Sequence, residues 1–302
     1  MVYAVKGKNS YDNTRKILEA AGNEFINNVR SPLLIKPNLV ADSRHEGATT
    51  DPEAVKAVVE YLKEKTNVEE IIIAEGSSGD TEKAFDVLGY RTIFDALRIP
   101  LKDLNKDQPT WIDGVDPLRG RPIKIPIAQS VRNARYIISC VLPKTHDHGI
   151  VTLGIKNLIG VVPGTKWKKT LHGGVYPDEL SDQELKRSIR GFHQNVYSIF
   201  REVGIDFTII DGTVGMEGNG PISGKPKAAN FGLGGFDAVA TDAIGTFLMG
   251  FDPYEIGYIY LSEKGGLGKA DISKIQVNLE GWISLRKKFK PHSRYSNMHY
   301  KP

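Results

Sequence analysis

DPEAVKAVVEYLKEKTNVEEIIIAEGSSGDT, residues 51–81, is the stretch that decides the fold. Its first half repeats apolar residues at helical spacing, behind Asp51 as N-cap and Pro52 at the first helical position, and predicts a helix over 51–65. Its second half centres on Ile71, Ile72 and Ile73, the composition of a strand buried on both faces, and predicts a strand over 69–74. The chain then turns through glycine and serine into a further helix over 81–88. Working outward, PLLIK (32–36) reads as a buried strand, VYAVK (2–6) as another, and 11–27 as the helix between them. The order is βαβαβα. It calls for a mostly parallel sheet flanked by helices.

Downstream the alternation lapses. Residues 101–127 are richer in Pro, Asp and Gly, with a hairpin expected around DGVDPLRGRP, before RYIISCVLP (135–143) returns as a buried strand. A long amphipathic helix is expected over 182–203, strands over 206–211, 228–235 and 274–281, and helices over 238–249 and 253–264. These elements predict an α/β, Rossmann-like chain of two lobes with the site between them: an α/β domain over 1–203, a smaller lobe over 204–281, and a basic tail over 282–302 read as a surface arm.

With 302 residues, 40% of them hydrophobic, the chain can bury a core without staples. No apolar run approaches the roughly 20 residues of a membrane span, and the N-terminal stretch has no apolar signal core, so a cytoplasmic location is expected. Cys140 is the only cysteine. That excludes an internal disulfide and a self-contained iron–sulfur cluster, which asks for about four thiolates, so any redox centre would belong to a partner. The net charge of +4 suits a small anionic metabolite and falls short of a dedicated nucleic-acid binder. Self-association stays open.

In open parallel sheets ligands sit outside the carboxyl ends of the strands, so the residues following each strand are the candidates. After 32–36 come Lys36 and Asn38. After 69–74 comes EGSSGDT (75–81), whose Ser77 and Ser78 either hold an anion or make a plain turn capped by Asp80 or Thr81. After 135–143 comes KTHDH (144–148). After 206–211 comes DGTVGMEGNGPISGKPK (211–227), where Asp211 and Glu217 suit a divalent cation or a general base, and the glycines suit either close approach to a ligand or a long turn. Asp237 and Asp242 read as a helix cap and a structural acid. Val151, Ile155, Leu158, Ile159 and Val162 form a stripe that predicts a helix over 151–162, with Lys156 off the stripe between Thr152 and Gly160. A snorkelling surface lysine is the plain alternative there. His146 is placed for proton transfer and His172, in LHGG, for metal ligation. Lys166, Lys168 and Lys169 are either an anion cluster or exposed.

KPNLV (36–40), GATTDP (47–52), LPKTH (142–146), IKNLIGVVPG (155–164), LHGG (171–174), DGTVGMEGNGPISGKP (211–226) and FDAVATDA (236–243) together resemble the signature blocks of domain-of-unknown-function family 362, over nearly the whole chain to about Gly281. The order His146, Lys156 ten residues on, and His172 sixteen beyond, with Pro163-Gly164 between, also resembles lactate racemase and its relatives. That second resemblance implies that His146 is an acid or base, that Lys156 anchors a nickel-pincer nucleotide and that His172 is a metal ligand, with His146 also beside the metal. Nickel or another divalent metal is then the implied cofactor. EGSSGD lacks the second proton-transfer histidine of the racemases, so the resemblance implies a shared scaffold with altered chemistry.

Three functions follow as expectations. The first is an enzyme moving a proton or hydride at carbon of a small anionic metabolite, using His146, Lys156 and His172, with Lys36, Asn38, Ser77 and Ser78 holding the anion and Asp211 and Glu217 in support. The second is a magnesium-dependent enzyme for a phosphorylated substrate, with Asp211 and Glu217 on the cation. The third is a binding protein whose basic tail meets a redox partner or nucleic acid.

Overall fold

The structure is a computed structural model that describes residues 1–174 and 179–300. Its centre is a seven-stranded sheet in the order β1 (Val2–Lys6), β13 (Phe231–Gly235), β10 (Phe207–Gly212), β7 (Tyr136–Val141), β2 (Leu33–Lys36), β3 (Ile71–Glu75) and β4 (Leu101–Asp103). From β10 to β4 every neighbour is parallel, and β13 runs antiparallel to both β10 and β1. The short apolar runs are buried on both faces because helices cover both. On one side lie α1 (Ser10–Asn28), α2 (Pro52–Lys65), α3 (Thr81–Val87) and α4 (Tyr90–Ala96), packed on a core that includes Phe25, Leu33, Val58, Ile73 and Phe207. On the other lie α7 (Asp182–Val203), α8 (Ala238–Met249) and α9 (Gly257–Lys264), whose core includes Leu34, Ile137, Phe192, Ile210 and Ile244.

The expected caps are present. The Asp51 side chain accepts from Glu53 N at the start of α2, and Asp237 caps α8 by accepting from Ala240 N. Ser181 and Glu184 form a capping box on α7, satisfying two end donors reciprocally. The hairpin is β5 (Pro109–Val115) with β6 (Pro122–Ala128), followed by the short α5 (Gln129–Asn133).

Four expectations are corrected. The boundary placed near Gly204 falls inside the fold: β10, directly after it, inserts between β7 and β13, so one sheet is built from both sides of that point. The helix expected over 151–162 is instead β9 (Ile150–Thr152) followed by a 3₁₀ segment, Lys156–Val161. The stripe is buried as expected, but the β-branched residues Ile150, Val151 and Thr152 pair with β8 (Lys144–His146), and Gly154 separates the two pieces. The strand expected over 274–281 is mostly coil: it meets β1 through one isolated bridge, Val2 to Val277, and covers that sheet edge with Val2 N donating to Gln276 O and Ala4 N donating to the Asn278 side chain. The tail is not a free arm. Leu285, Phe289 and Met298 are buried, Lys287 N and Phe289 N donate to the last carbonyls of α8, and Tyr300 N donates to Glu255 O. Each anchors separately, which is why the tail shows no period. Lys301 and Pro302 lie outside the described residues.

The segments after β7 and β10 pair with each other beyond the sheet's carboxyl edge. β8 lies between β9 and β11 (Gly215–Glu217), and β11 pairs in turn with β12 (Lys225–Lys227). This four-stranded layer and the short helix α6 (Thr165–Leu171) leave a cavity against the ends of β2 and β3. No helix among the described residues is long and apolar enough to cross a membrane.

Candidate functional site

The cavity encloses about 720 Å³ and brings together Asn38 and Ser78 from the large sheet's edge, His146, Lys156, Lys168 and His172. Three of the sequence candidates separated by ten and sixteen residues therefore do share one space. Beneath them lies a buried polar network. Lys36, wholly inaccessible, donates to Glu75 Oε2 at 2.7 Å, to the Pro37 carbonyl at 2.8 Å and to Asn157 Oδ1 at 3.2 Å. Glu75 also accepts from Leu39 N and Gly76 N. Asn38 bridges this network to Lys144, donating to Asn157 Oδ1 and accepting from Lys144 Nζ at 2.7 Å. Gly160 is required here, since a Cβ at that position would fall on the Glu75 carboxylate and the Lys36 amine.

Lys156 differs from its neighbours. Four lysines are buried among the described residues, namely Lys36, Lys144, Lys156 and Lys168. Lys144 donates to Asn38 and the Ala48 carbonyl, and Lys168 to Asn105 Oδ1. Lys156 Nζ makes no hydrogen bond among the described residues and lies 5.6 Å from the centre of the Phe192 ring. Gly149 sits against its methylenes, so close that a Cβ there would overlap them. Burial pushes its pKa down to about 7, against the pull of Asp147 and with Lys36 adding to the shift. Lys168 is pushed down to about 8, again chiefly by burial.

The histidines present complementary nitrogens. His146 Nδ1 accepts from the backbone N–H of His148 at 3.0 Å and of Gly149 at 3.3 Å; Asp147 Oδ1 stands 2.8 Å from the same nitrogen but outside hydrogen-bond geometry, so the two backbone donors take the Nδ1 lone pair and the ring proton is assigned to Nε2. His172 Nδ1 lies 2.7 Å from the Lys168 carbonyl and must donate to it, which leaves a lone pair on its Nε2. The two rings stack with centroids 5.6 Å apart, and His172 packs against Phe192. Burial holds both imidazoles neutral: His146 lies well below the ordinary value, and His172 is pushed down to about 3, with His148 and Lys156 adding to the shift.

A divalent cation fits this donor set. Asp147 Oδ1 and both nitrogens of His148 are buried without a hydrogen-bond partner, and single donor atoms of His146, Asp147 and His148 lie within 4.8 Å of one another. Asp147 Oδ1 stands 3.1 Å from His148 Nδ1, a spacing two ligands of one ion adopt. His172, with Nδ1–H fixed on a carbonyl and Nε2 open, has the form of an oriented metal ligand.

Other expected site residues are placed elsewhere. Lys36 lies under the floor with its donors committed to Glu75, Pro37 and Asn157. Ser77 is buried in its turn, its hydroxyl accepting from Gly79 N, so Asn38 and Ser78 alone of the four expected anion holders line the cavity. Asp211 accepts from Thr213 N and Oγ1 and borders a different cavity, of about 580 Å³, with Ser10 and Arg44. Glu217 is tied to Lys227 Nζ at 3.0 Å and to Lys290 N. The glycine-rich loop carrying both acids thus builds the small layer, and only its Pro221 and Ile222 reach the main cavity. Asp242, expected as a structural acid, is buried inside α8 and accepts from Gly154 N and Ile155 N, fixing the turn that delivers Lys156. Sequence reasoning passed over Glu75, Asn105 and Asn157. The one available signal was Glu75, an acid ending an all-apolar strand.

Fold and site define an α/β protein with a lysine- and histidine-lined cavity at the carboxyl edge of a parallel sheet. The chain belongs to the family described as domain of unknown function DUF362, whose profile matches residues 33–247. It is 27% identical over 237 residues to the thylakoid-associated protein sll1697 of Synechocystis, covering 78% of this chain and 68% of that one. Among solved structures it is similar to the lactate racemase apoprotein of Thermoanaerobacterium thermosaccharolyticum, with a TM-score of 0.44 and 10% identity over 70% of this chain. The chain spans 50% of that protein's length, and at this level the likeness carries no argument about chemistry.

Proposed function

We propose that this protein is an enzyme that moves a proton at a carbon atom of a small anionic metabolite held in the main cavity. The observation that carries the reading is the Lys156 amine, buried, without a hydrogen-bond acceptor among the described residues, and open to a cavity that it shares with a protonated and an unprotonated imidazole nitrogen. An amine with a pKa near 7 takes a proton from carbon without being held protonated by the medium. His146 Nε2–H donates a hydrogen bond to the oxygen on which charge develops, and His172 Nε2 accepts a proton or orients the ligand. Lys168, Lys169 and Ser78 line the cavity and supply positive charge and a hydroxyl for the substrate's anionic group. A divalent cation held at Asp147 and His148 would polarise a substrate oxygen as a Lewis acid. Asp211 and Glu217 lie outside this arrangement.

The test is deuterium exchange. The protein is incubated in deuterated buffer with a panel of 2-hydroxy and 2-oxo carboxylates, with nickel, zinc or magnesium added singly, and carbon-bound deuterium is read by NMR. Exchange that disappears in Lys156→Met and His146→Ala supports the reading. Exchange with no member of the panel, or exchange that survives both substitutions, refutes it.

A further inference from the structure

Of the four lysines buried among the described residues, three have their amines held by acceptors, and the fourth faces the cavity with none among those residues. A buried ammonium without a carboxylate or carbonyl partner is an expensive state, so the uncharged amine, with its lone pair available, is favoured here relative to an exposed lysine. Its methylenes lie against Gly149, and its nitrogen lies 5.6 Å from the centre of the Phe192 ring. Such an amine is a nucleophile toward carbonyl carbon. Around it the cavity offers one imidazole N–H, on His146, one imidazole lone pair, on His172, and the amines of Lys168 and Lys169.

We infer that Lys156 forms an imine with the carbonyl carbon of a small substrate that also carries an anionic group. This rests on the proton-transfer reading and deepens it, because a protonated imine withdraws electrons from the neighbouring carbon and makes its C–H acidic, and His172 Nε2, in place of the bonded amine, then takes that proton. The atoms balance without a redox partner. The Lys156 nitrogen bonds to the carbonyl carbon as the carbonyl π pair moves to oxygen, where the His146 N–H supports the developing charge. His172 Nε2 takes one proton from the resulting ammonium and returns it to that oxygen, giving a neutral carbinolamine. The nitrogen lone pair then closes the C=N bond as the carbon–oxygen bond breaks, and the oxygen takes a proton from the medium and leaves as water, so that a protonated imine remains. The anionic group lies toward Lys168 and Lys169, and either a carboxylate or a phosphate meets that requirement.

The experiment is reductive trapping on the full chain. Protein at neutral pH is mixed with pyruvate in one arm and dihydroxyacetone phosphate in the other, treated with sodium borohydride, and analysed by intact mass and peptide mapping. Label concentrated on the Lys156 peptide, at least about tenfold above any exposed lysine, is expected, because exposed amines stay protonated at this pH. The arm that labels identifies the anionic group. Lys156→Met and Lys156→Arg should lose that label. Because the wild-type peptide map locates the adduct by itself, the result stands even if a variant folds poorly. No label on the Lys156 peptide in either arm, or label spread evenly over exposed lysines, overturns the inference. Deuterium exchange that persists without any adduct overturns the imine and leaves the proton-transfer function standing.

Discussion

Replacing Glu75 with Gln should make the protein strongly and pH-dependently unstable. Lys36 is wholly buried, and its one counter-charge is Glu75 Oε2 at 2.7 Å. Glu75→Gln leaves the amine with the Pro37 carbonyl and Asn157 Oδ1 as neutral acceptors. An uncompensated buried charge of this kind costs about 3–5 kcal/mol. The lysine has one escape, which is to give up its proton. From an ordinary pKa of about 10.4 this costs about 1.4 kcal/mol per pH unit, or about 5 kcal/mol at pH 7, so the two routes set the same ceiling. The sign with pH follows from proton counts. If the native variant holds Lys36 neutral while the unfolded chain binds its proton, stability rises with pH, by about 3 kcal/mol between pH 7 and pH 9. Urea unfolding at both pH values, compared by midpoint at constant slope, reads this directly. The double variant Lys36→Met/Glu75→Gln should recover part of the loss, since Leu39 N and Gly76 N then share one remaining acceptor oxygen. A loss below about 1 kcal/mol that does not change with pH is the behaviour of an exposed pair and would refute the reasoning.

Three further outcomes are expected. Asp242 is fully buried and raised to about 7 by burial, so between about pH 4 and pH 7 the native state holds a proton that the unfolded state releases, and stability should fall as pH rises through that window; Asp242→Asn should flatten the dependence in urea midpoints measured at pH 5 and pH 8. Ending the chain at Ser284 removes the buried Leu285, Phe289 and Met298 and should cost about 5 kcal/mol at roughly 1.5–3 kcal/mol each, seen as a lowered urea midpoint; a truncated protein of undiminished stability would contradict the docked tail. Gly160→Ala drives a methyl into the Lys36–Glu75 pair and should cost at least about 1–3 kcal/mol by overpacking, whereas Gly164→Ala, with open space around its Cβ, should cost only its positive-φ strain.

The strands and helices of the parallel half were legible because their burial is set by local pattern. Three isoleucines in a row at 71–73 and the Asp51-Pro52 start of α2 have one stable use each. The segment 150–162 misled because offsets of 4, 7, 8 and 11 fit a helix as well as a strand joined to a 3₁₀ turn, and only the pairing of Ile150–Thr152 with β8 chooses between them. The tail misled because its anchors, Phe289, Met298 and Tyr300, meet partners on α8 and α9 that no local pattern names.

The sequence by itself determined the α/β class and the edge of the sheet on which the candidate loops lie, because backbone periodicity and side-chain type act over a few residues. His146, Lys156 and His172 are singled out by the resemblance of their order and spacing to lactate racemase and its relatives, and they share one cavity. Tertiary structure alone decided which charges are available. Lys36 and Lys156 are both buried lysines beside a predicted site, yet Glu75, thirty-nine residues from Lys36, commits one amine, and no partner among the described residues commits the other. Asp211, placed at a strand end by the sequence, and Glu217, placed in the glycine-rich loop after it, turn to other partners for the same reason. Whether a polar group serves packing or chemistry depends on what distant elements bring within about 3 Å of it.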